Sequence, residues 1–124
     1  MRKTRFGIVF KLNQGDLVLV PVPFTDLSSS KKRPVLVLSN DAYNLKSEDF
    51  LVAAVTSQVT QRSYAVIIEE KDLVQGILPL TSQVRSDKLY SLSQKLVVKK
   101  FGRLKKSIFE KVVGEVNSLL KEKG

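Results

Sequence analysis

The sequence of 124 residues contains no cysteine, no histidine and no tryptophan. Without cysteine the chain can form neither disulfide bonds nor thiolate metal sites. Without histidine it lacks the commonest general base, the commonest metal ligand and every Ser–His or Cys–His nucleophile pair. Any catalysis must therefore rely on Arg, Lys, Ser, Thr, Tyr, Asp or Glu side chains, and we predict no metal site and no cofactor.

Long hydrophobic runs are also missing. No apolar stretch reaches the ~18 residues that a membrane-spanning helix needs. The apolar residues between Phe6 and Phe10 are too few for the core of a signal peptide. The length suits one domain and not two. These features predict a soluble cytoplasmic protein that does not associate with a membrane.

Negative charge is scarce relative to positive charge. The chain has 21 Lys and Arg residues against 12 Asp and Glu residues, a formal net charge of +9. The excess is concentrated in residues 1–14 and 85–111, and the second segment has only Asp87 and Glu110 as acids. Its cations are Arg85, Lys88, Lys95, Lys99, Lys100, Arg103, Lys105, Lys106 and Lys111. Such local excess favours a nucleic acid or an acidic protein as partner, the alternative being a solvated surface that aids solubility.

Short apolar segments between turn residues predict a mainly β fold followed by one C-terminal helix. The predicted strands are residues 17–22, 35–39, 50–55, 64–68 and 92–98. Apolar residues then repeat at helical spacing and predict a helix at about 106–121. Ser107 and Glu110 can form a capping box at its start, the alternative being a helix that begins two residues earlier. Several short strands with regular turns favour a small barrel or half-open roll. We divide the chain into a basic N-terminal arm, residues 1–14, and one barrel domain, residues 15–124.

A basic segment precedes the second predicted strand. We predict that three serines, residues 28–30, form a flexible tip, and Lys31, Lys32, Arg33 and Pro34 follow them in the sequence. Proline is tolerated at the first position of a strand, and it drives the residue before it toward an extended conformation. We therefore predict that Arg33 holds its guanidinium at a rigid strand edge, an arrangement that suits an oxyanion and above all a phosphate.

Further polar side chains lie where predicted strands end or alternate. They are Thr56, Ser57, Gln58, Gln83 and Arg85. A barrel would bring them close to Arg33. Three of them also have an ordinary structural explanation: Thr56 as a strand-terminating residue, Gln83 as a satisfied buried amide, and Arg85 as an ion-pair partner of Asp87 or another carboxylate.

One chemistry suits this set of residues. RNA carries its own nucleophile, the 2′-OH, which attacks the adjacent phosphodiester. The enzyme then needs to align the attack and stabilise negative charge on the phosphoryl oxygens, for which an Arg fork is well shaped. A Thr hydroxyl can hydrogen-bond the reacting centre. Neither a metal ion nor a protein nucleophile is required.

Several motifs together resemble the MazF/PemK family of toxin endoribonucleases. The resemblance extends over roughly residues 14–121 and includes the closing helix. Its motifs are residues 15–20 (GDLVLV), 32–40 (KRPVLVLSN), 52–58 (VAAVTSQ) and 82–87 (SQVRSD).

The resemblance implies a fold, an activity and partners. The fold would be the small SH3-like barrel with a C-terminal helix shared by MazF, Kid and CcdB. The activity would be that of a type II toxin: metal-independent cleavage of single-stranded RNA at short sequences by 2′-OH attack. The protein would be a homodimer neutralised by an acidic antitoxin.

The family's catalytic pair maps to Arg33 and Thr56 in this sequence. We assign RNA binding to the neighbouring polar residues Lys31, Lys32, Ser57, Gln58, Gln83 and Arg85. The acid and base of Kid-like members map to Leu80 and Ser82, so that mechanism does not transfer. Lys31, Lys32, water and a phosphate oxygen remain alternatives for accepting the 2′-OH proton.

Two other functions remain open for the same fold. One is a non-catalytic toxin that acts on DNA gyrase, as CcdB does. The other is a barrel that binds RNA without cleaving it. The activity of CcdB depends on its C-terminal residues, whereas residues 121–124 of this sequence are polar and contain no aromatic side chain, which disfavours the gyrase function. Binding of RNA with no cleavage would favour the other alternative.

Overall fold

The computed structural model of the protein describes residues 8, 10–21 and 31–123. Short elements alternate along the chain until a long helix closes the fold. The elements are β1 (Asp16–Val20), β2 (Arg33–Val37), α1 (Asp41–Lys46), β3 (Asp49–Thr56), β4 (Ala65–Ile68), β5 (Leu73–Gly76), β6 (Ser82–Ser93), β7 (Lys99–Leu104) and α2 (Lys106–Leu120).

The strands form one seven-stranded sheet in the order β4-β6-β3-β2-β1-β7-β5. Every neighbouring pair is antiparallel. The sheet curls into a half-barrel against α2. This architecture confirms the predicted mainly β fold with a C-terminal helix.

Both faces of the central strands are buried, which explains why these strands are almost continuously apolar. On one face a cluster around Leu17, Leu36 and Val84 packs against Phe109 and Val112 of α2. The opposite face carries a second cluster, whose members are Leu12, Val18, Val20, Val35, Val37, Phe50, Val52 and Val97. Two packed cores therefore hold the middle of the sheet from both sides.

The predicted strand at residues 92–98 is wrong. Its first residues belong to the end of β6, a 3-10 turn covers Gln94–Leu96, and the last strand is Lys99–Leu104. Gln94 is the physical reason, because its side chain is buried and its Nε2 donates to the carbonyls of Asn44, Ser47 and Asp49 at 2.8, 2.9 and 3.1 Å. These bonds fix a turn where the apolar pattern favoured a strand.

The predicted capping box is also wrong. Helix α2 begins at Lys106, and its N-cap residue, Lys105, makes no side-chain capping bond. Ser107 and Glu110 therefore lie inside the helix. The helix is held by packing of its apolar face, with Phe109 and Val112 buried, rather than by its cap.

Part of the predicted N-terminal arm packs on the second core. Ile8 and Leu12 are buried, and Phe10 contacts the same cluster. The other residues before position 10, and the serine tip at 28–30, lie outside the described residues. The boundary between arm and domain at residue 14 stays a prediction.

A buried carboxylate ties β1 to β7. Asp16 is fully buried, and its Oδ1 accepts a hydrogen bond from Arg103 Nε at 2.8 Å. Its Oδ2 accepts from the backbone N–H of Asn13 at 2.8 Å and lies 3.0 Å from Lys100 Nζ. Because the charge is buried, it is stable only with these partners in place.

We expect Asp16→Asn to lower the free energy of unfolding by about 3 kcal/mol, because it removes the buried partner of two cations. Asp49→Asn is the matched control, since Asp49 is exposed and such changes usually stay within about 0.5 kcal/mol. Denaturant unfolding of both variants measures the difference. Equal stability of the two variants would contradict this role for Asp16.

Candidate active site

The strand register brings the predicted polar groups to one end of the sheet. In the β2–β3 pair Val35 lies opposite Ala54. Two further steps along this antiparallel register place Arg33, the first residue of β2, opposite Thr56, the last residue of β3. Thr56 in turn lies opposite Gln83 of β6. Directly opposed residues share a face of the sheet, so these three side chains project from the same face.

An open cleft of about 760 Å³ lies at this end of the sheet. Six of the eight predicted site residues line it: Lys31, Lys32, Arg33, Thr56, Ser57 and Gln58. Its described lining holds four cations and no carboxylate, with Lys99 as the fourth. The cleft is therefore electropositive and suited to a polyanion.

Sequence reasoning missed the opposite wall of the cleft. That wall consists of Lys99 and Phe101 of β7 and the loop of residues 77–80. In this loop Ile77 and Leu80 are 67% and 62% exposed. No local pattern in the sequence marked this wall, because its position depends on the pairing of β7 with β1. Lys99 and Phe101 face the cleft, whereas Lys100 turns to Asp16.

Arg33 carries a buried donor without a partner. Its Nε is inaccessible to solvent and makes no hydrogen bond within the described part of the chain. An unsatisfied buried donor costs about 1–3 kcal/mol. Arg33 as a whole is only half-buried and lines the cleft, so an anion in the cleft can meet the accessible part of its guanidinium.

The hydroxyl of Thr56 is oriented by the turn that follows β3. Its Oγ1 accepts a hydrogen bond from the backbone N–H of Gln58 at 3.1 Å. The hydroxyl keeps its own proton as a donor. Thr56 is half-buried at the cleft surface, so that proton can reach a bound group.

Gln83 is committed to the fold. Its side chain is 3% exposed, and its Nε2 donates to the carbonyl of Thr60 at 2.6 Å. Its Oε1 accepts a hydrogen bond from the backbone N–H of Thr60 at 3.3 Å. The amide therefore pins the loop between β3 and β4, and a direct RNA contact of Gln83 stays a prediction.

Arg85 forms a bidentate pair with Asp87. Its Nε and Nη2 donate to Oδ1 and Oδ2 of the carboxylate, both at 2.9 Å. These hydrogen bonds hold the pKa of Asp87 below its ordinary value against the opposing effect of burial. The same pair raises the pKa of Arg85. The ion-pair role considered from sequence is present, and RNA binding by Arg85 stays a prediction.

A bulge in β6 shapes this region. Ala53 pairs with Leu89, but the next residue, Ala54, pairs with Arg85, so residues 86–88 loop out of the ladder. Bulges redirect neighbouring side chains and are common beside active sites. This one turns Arg85 and Lys88 toward a second cavity.

The second cavity, of about 250 Å³, lies next to Arg33 and Thr56. Val84 belongs to the core beneath α2, so its neighbour Arg85 points to the opposite face of the sheet. The lining is Arg33, Ala54, Val55, Thr56, Gln58, Arg62, Arg85, Lys88 and Tyr90. The cleft and this cavity share Arg33, Val55, Thr56 and Gln58. Arg33 and Thr56 therefore form the rim between two sites.

Among the residues that the structure describes, no group of three or more Asp and Glu side chains is placed to hold a metal ion. No helix in the same residues is long and apolar enough to cross a membrane.

The fold and site define a small barrel with an electropositive cleft, and the family follows from the sequence match. Residues 13–120 match the family described as PemK-like, MazF-like toxin of type II toxin-antitoxin system. The chain therefore belongs to this toxin family, which confirms the predicted resemblance. No curated protein matches the sequence.

Solved structures share the fold. An endoribonuclease from Mycobacterial species is 20% identical with a TM-score of 0.71, covering 90% of this chain and 92% of that chain. A MazE–MazF structure from Deinococcus radiodurans is 24% identical with a TM-score of 0.71, covering 93% and 100%. The Mycobacterium tuberculosis toxin MazF-mt6 is 18% identical with a TM-score of 0.68, covering 83% and 93%.

We expect the carboxyl group of Asp87 to titrate below 3.8, its ordinary pKa, because Arg85 stabilises the ionised form. A lowered pKa in the folded state contributes stability above the unfolded-state pKa. That contribution is lost as the pH falls through the folded value. Because the pair is partly exposed, the effect on unfolding is small, and NMR of the carboxyl carbon is the suitable measurement.

The control for this titration is Arg85→Gln, which removes the ion pair and should move the Asp87 midpoint back toward 3.8. An unchanged midpoint in this variant would contradict Arg85 as the cause.

Proposed function

We propose that this toxin is a sequence-specific endoribonuclease that cleaves single-stranded mRNA by 2′-OH attack without a metal ion. The observation that carries the proposal is that Arg33 and Thr56, opposed in the strand register, both line an electropositive cleft. Family membership supports the same function. Relatives of the same fold are named endoribonucleases.

The reaction needs little from the protein beyond positioning and charge. The 2′-OH of RNA gives up its proton to water or a phosphate oxygen, and its oxygen bonds to the adjacent phosphorus as the bond to the 5′-oxygen breaks. The departing 5′-oxygen takes up a proton from water, which leaves a 2′,3′-cyclic phosphate and a 5′-OH. Negative charge grows on the equatorial phosphoryl oxygens during this step. The N–H groups of Arg33 donate to those oxygens, and the Thr56 hydroxyl donates a further hydrogen bond. Arg33 stays protonated, so it stabilises charge and does not accept the 2′-OH proton.

The walls of the cleft have different roles in binding. Lys31, Lys32 and Lys99 attract and hold backbone phosphates, so affinity falls steeply as salt increases. The exposed apolar side chains of Ile77 and Leu80 pack against bases. The hydroxyl of Ser57 and the amide of Gln58 hydrogen-bond base edges and contribute to sequence choice.

Gln83 and Arg85 act differently from the cleft residues. Gln83 supports RNA binding through the loop that carries Ser57 and Gln58, because its amide holds Thr60. Arg85 contacts phosphate with the part of its guanidinium that Asp87 leaves free. Both assignments keep these residues in the RNA-binding set with distinct roles.

The proposal includes a partner, an oligomeric state and a location. The net charge of +9 suits an acidic antitoxin that covers the cleft. One relative is an endoribonuclease in complex with its cognate antitoxin, and another is a MazE–MazF complex. We also assign a homodimer, and the cytoplasm as the location, because mRNA is the substrate.

Incubation of the purified protein with a defined RNA pool in EDTA, followed by sequencing of the 5′ ends, tests the activity. We expect cuts at one short sequence and products that carry 5′-OH ends. RNA binding without cleavage would favour the non-catalytic RNA-binding barrel. Inhibition of DNA gyrase without RNA cleavage would favour the gyrase alternative.

We expect Arg33→Ala to lower the cleavage rate about 10²–10³-fold, because one donor to the developing oxyanion is worth that much in related sites. Arg33→Lys keeps the charge but loses the planar fork, so it should recover only part of the rate. Lys111→Gln on the exposed surface of α2 is the control and should cleave like the unaltered protein. Single-turnover cleavage measures all three.

For Thr56 the decisive comparison is Thr56→Val with Thr56→Ser. The first removes the hydroxyl at nearly constant volume, and the second retains it. We expect Thr56→Val to cleave at least about tenfold more slowly and Thr56→Ser to keep most of the activity, with thermal unfolding as the check of folding. Undiminished cleavage by both Thr56→Val and Arg33→Ala would refute the site.

A further inference from the structure

The second cavity is small and strongly cationic. Four of its lining residues carry positive charge: Arg33, Arg62, Arg85 and Lys88. No carboxylate lines it in the described part of the chain. Asp87 pairs with Arg85 from outside, so it offsets one of the four charges and a substantial excess remains.

Among the described residues, Arg62 is held in place by neutral groups and has no acidic partner. Its Nε donates to Thr60 Oγ1 at 3.0 Å, and its Nη2 donates to the carbonyl of Gln58 at 3.3 Å. The loop that provides these acceptors is itself fixed by Gln83. The guanidinium is therefore positioned by neutral groups and keeps its full charge for a ligand.

Lys88 reaches the cavity only because residues 86–88 loop out of the β6 ladder. Within residues 10–21 and 31–123, neither Lys88 nor Arg62 lies within ion-pair distance of a carboxylate. Two cations that could have been neutralised in the fold are thus aimed into one concavity. Such a cluster suits a phosphate, which accepts several charge-assisted hydrogen bonds at once.

The cleft and the second cavity differ in what they can bind. The cleft is three times larger, about 760 against 250 Å³, and it carries a largely apolar wall of residues 77–80 with Phe101. That wall suits a base. The second cavity is too small and too polar to bind a base. It adjoins the cleft at Arg33 and Thr56, which line both.

We propose that the second cavity binds the phosphate next to the scissile one, so that the RNA strand crosses the Arg33–Thr56 rim and is held on both faces of the sheet. The inference rests on the proposed function, because it takes Arg33 and Thr56 as the location of the scissile phosphate. Arg62 and Lys88 are its principal donors, and Arg85 adds a third. The site therefore favours RNA substrates that carry a further phosphate next to the scissile one.

A phosphate-neutralisation scan tests the proposal. The ligand is a 2′-deoxy, non-cleavable form of the RNA oligonucleotide that the unaltered protein binds most tightly. One phosphodiester at a time is replaced by a neutral methylphosphonate. We expect the unaltered protein to lose affinity at two adjacent linkages, the scissile one and one neighbour.

In the Arg62→Gln/Lys88→Gln double variant, neutralising the neighbouring linkage should no longer lower the affinity for the oligonucleotide. Neutralising the scissile linkage should still lower it. The slope of log affinity against log salt should fall by about 0.7, because the variant neutralises one phosphate fewer. Lys111→Gln makes the same type of charge change away from the cavity, and it should keep both sensitive linkages. The single variant Lys88→Gln should lose part of the sensitivity at the neighbouring linkage. It guards against misfolding of the double variant, because Lys88 has no ion-pair partner within the described residues.

The proposal is overturned if the unaltered protein loses affinity at only one neutralised linkage. It is also overturned if the double variant loses affinity equally at both linkages. These results do not depend on catalysis. Absence of RNA cleavage by the unaltered protein would refute the proposed function while the binding scan still reports on the cavity. Cleavage together with an unchanged scan in the double variant would refute the cavity alone.

Discussion

The register of β2 against β3 is the constraint on which the site depends. A shift of one residue would turn Arg33 and Thr56 to opposite faces of the sheet, because side chains alternate along a strand. The register is strongly specified since both faces of these strands are packed, one against α2 and the other against the second core. Hydrophobic burial thus fixes the relative positions of a guanidinium and a hydroxyl that make no direct bond with each other.

The site combines groups satisfied by the fold with groups left for a ligand. Gln83 holds the loop between β3 and β4. Asp87 holds Arg85, and the carbonyl of Gln58 holds Arg62. The Nε of Arg33 has no such partner within the described residues. A buried donor in this condition lowers the stability of the free protein, and the two apolar cores offset that loss. Hydrogen-bond donors left without a protein partner are expected where a protein binds its ligand.

Much of the fold followed from sequence because apolar segments, turn residues and a helical repeat agree with one another. Arg33 was recognisable because Pro34 marks the start of a strand, and Thr56 because it ends one. The contributions of Lys99 and Phe101 were not recognisable, since they depend on the pairing of β7 with distant β1. Arg62 and Lys88 depend on a loop geometry and a bulge that periodicity does not reveal. The strand assignment failed at Gln94. The sequence does not show that this amide is buried and donates hydrogen bonds to three carbonyls.

The position of β1 in the sheet has a consequence for biosynthesis. This early strand lies between β2 and β7, with Leu19 opposite both Pro34 and Lys99. Pairing across such a long stretch of chain is slow and comes late in folding. One side of β1 stays unpaired, and the cleft lacks its Lys99 wall, until β7 has been made. A nascent chain of this toxin therefore cannot assemble the complete cleft before β7 has been made.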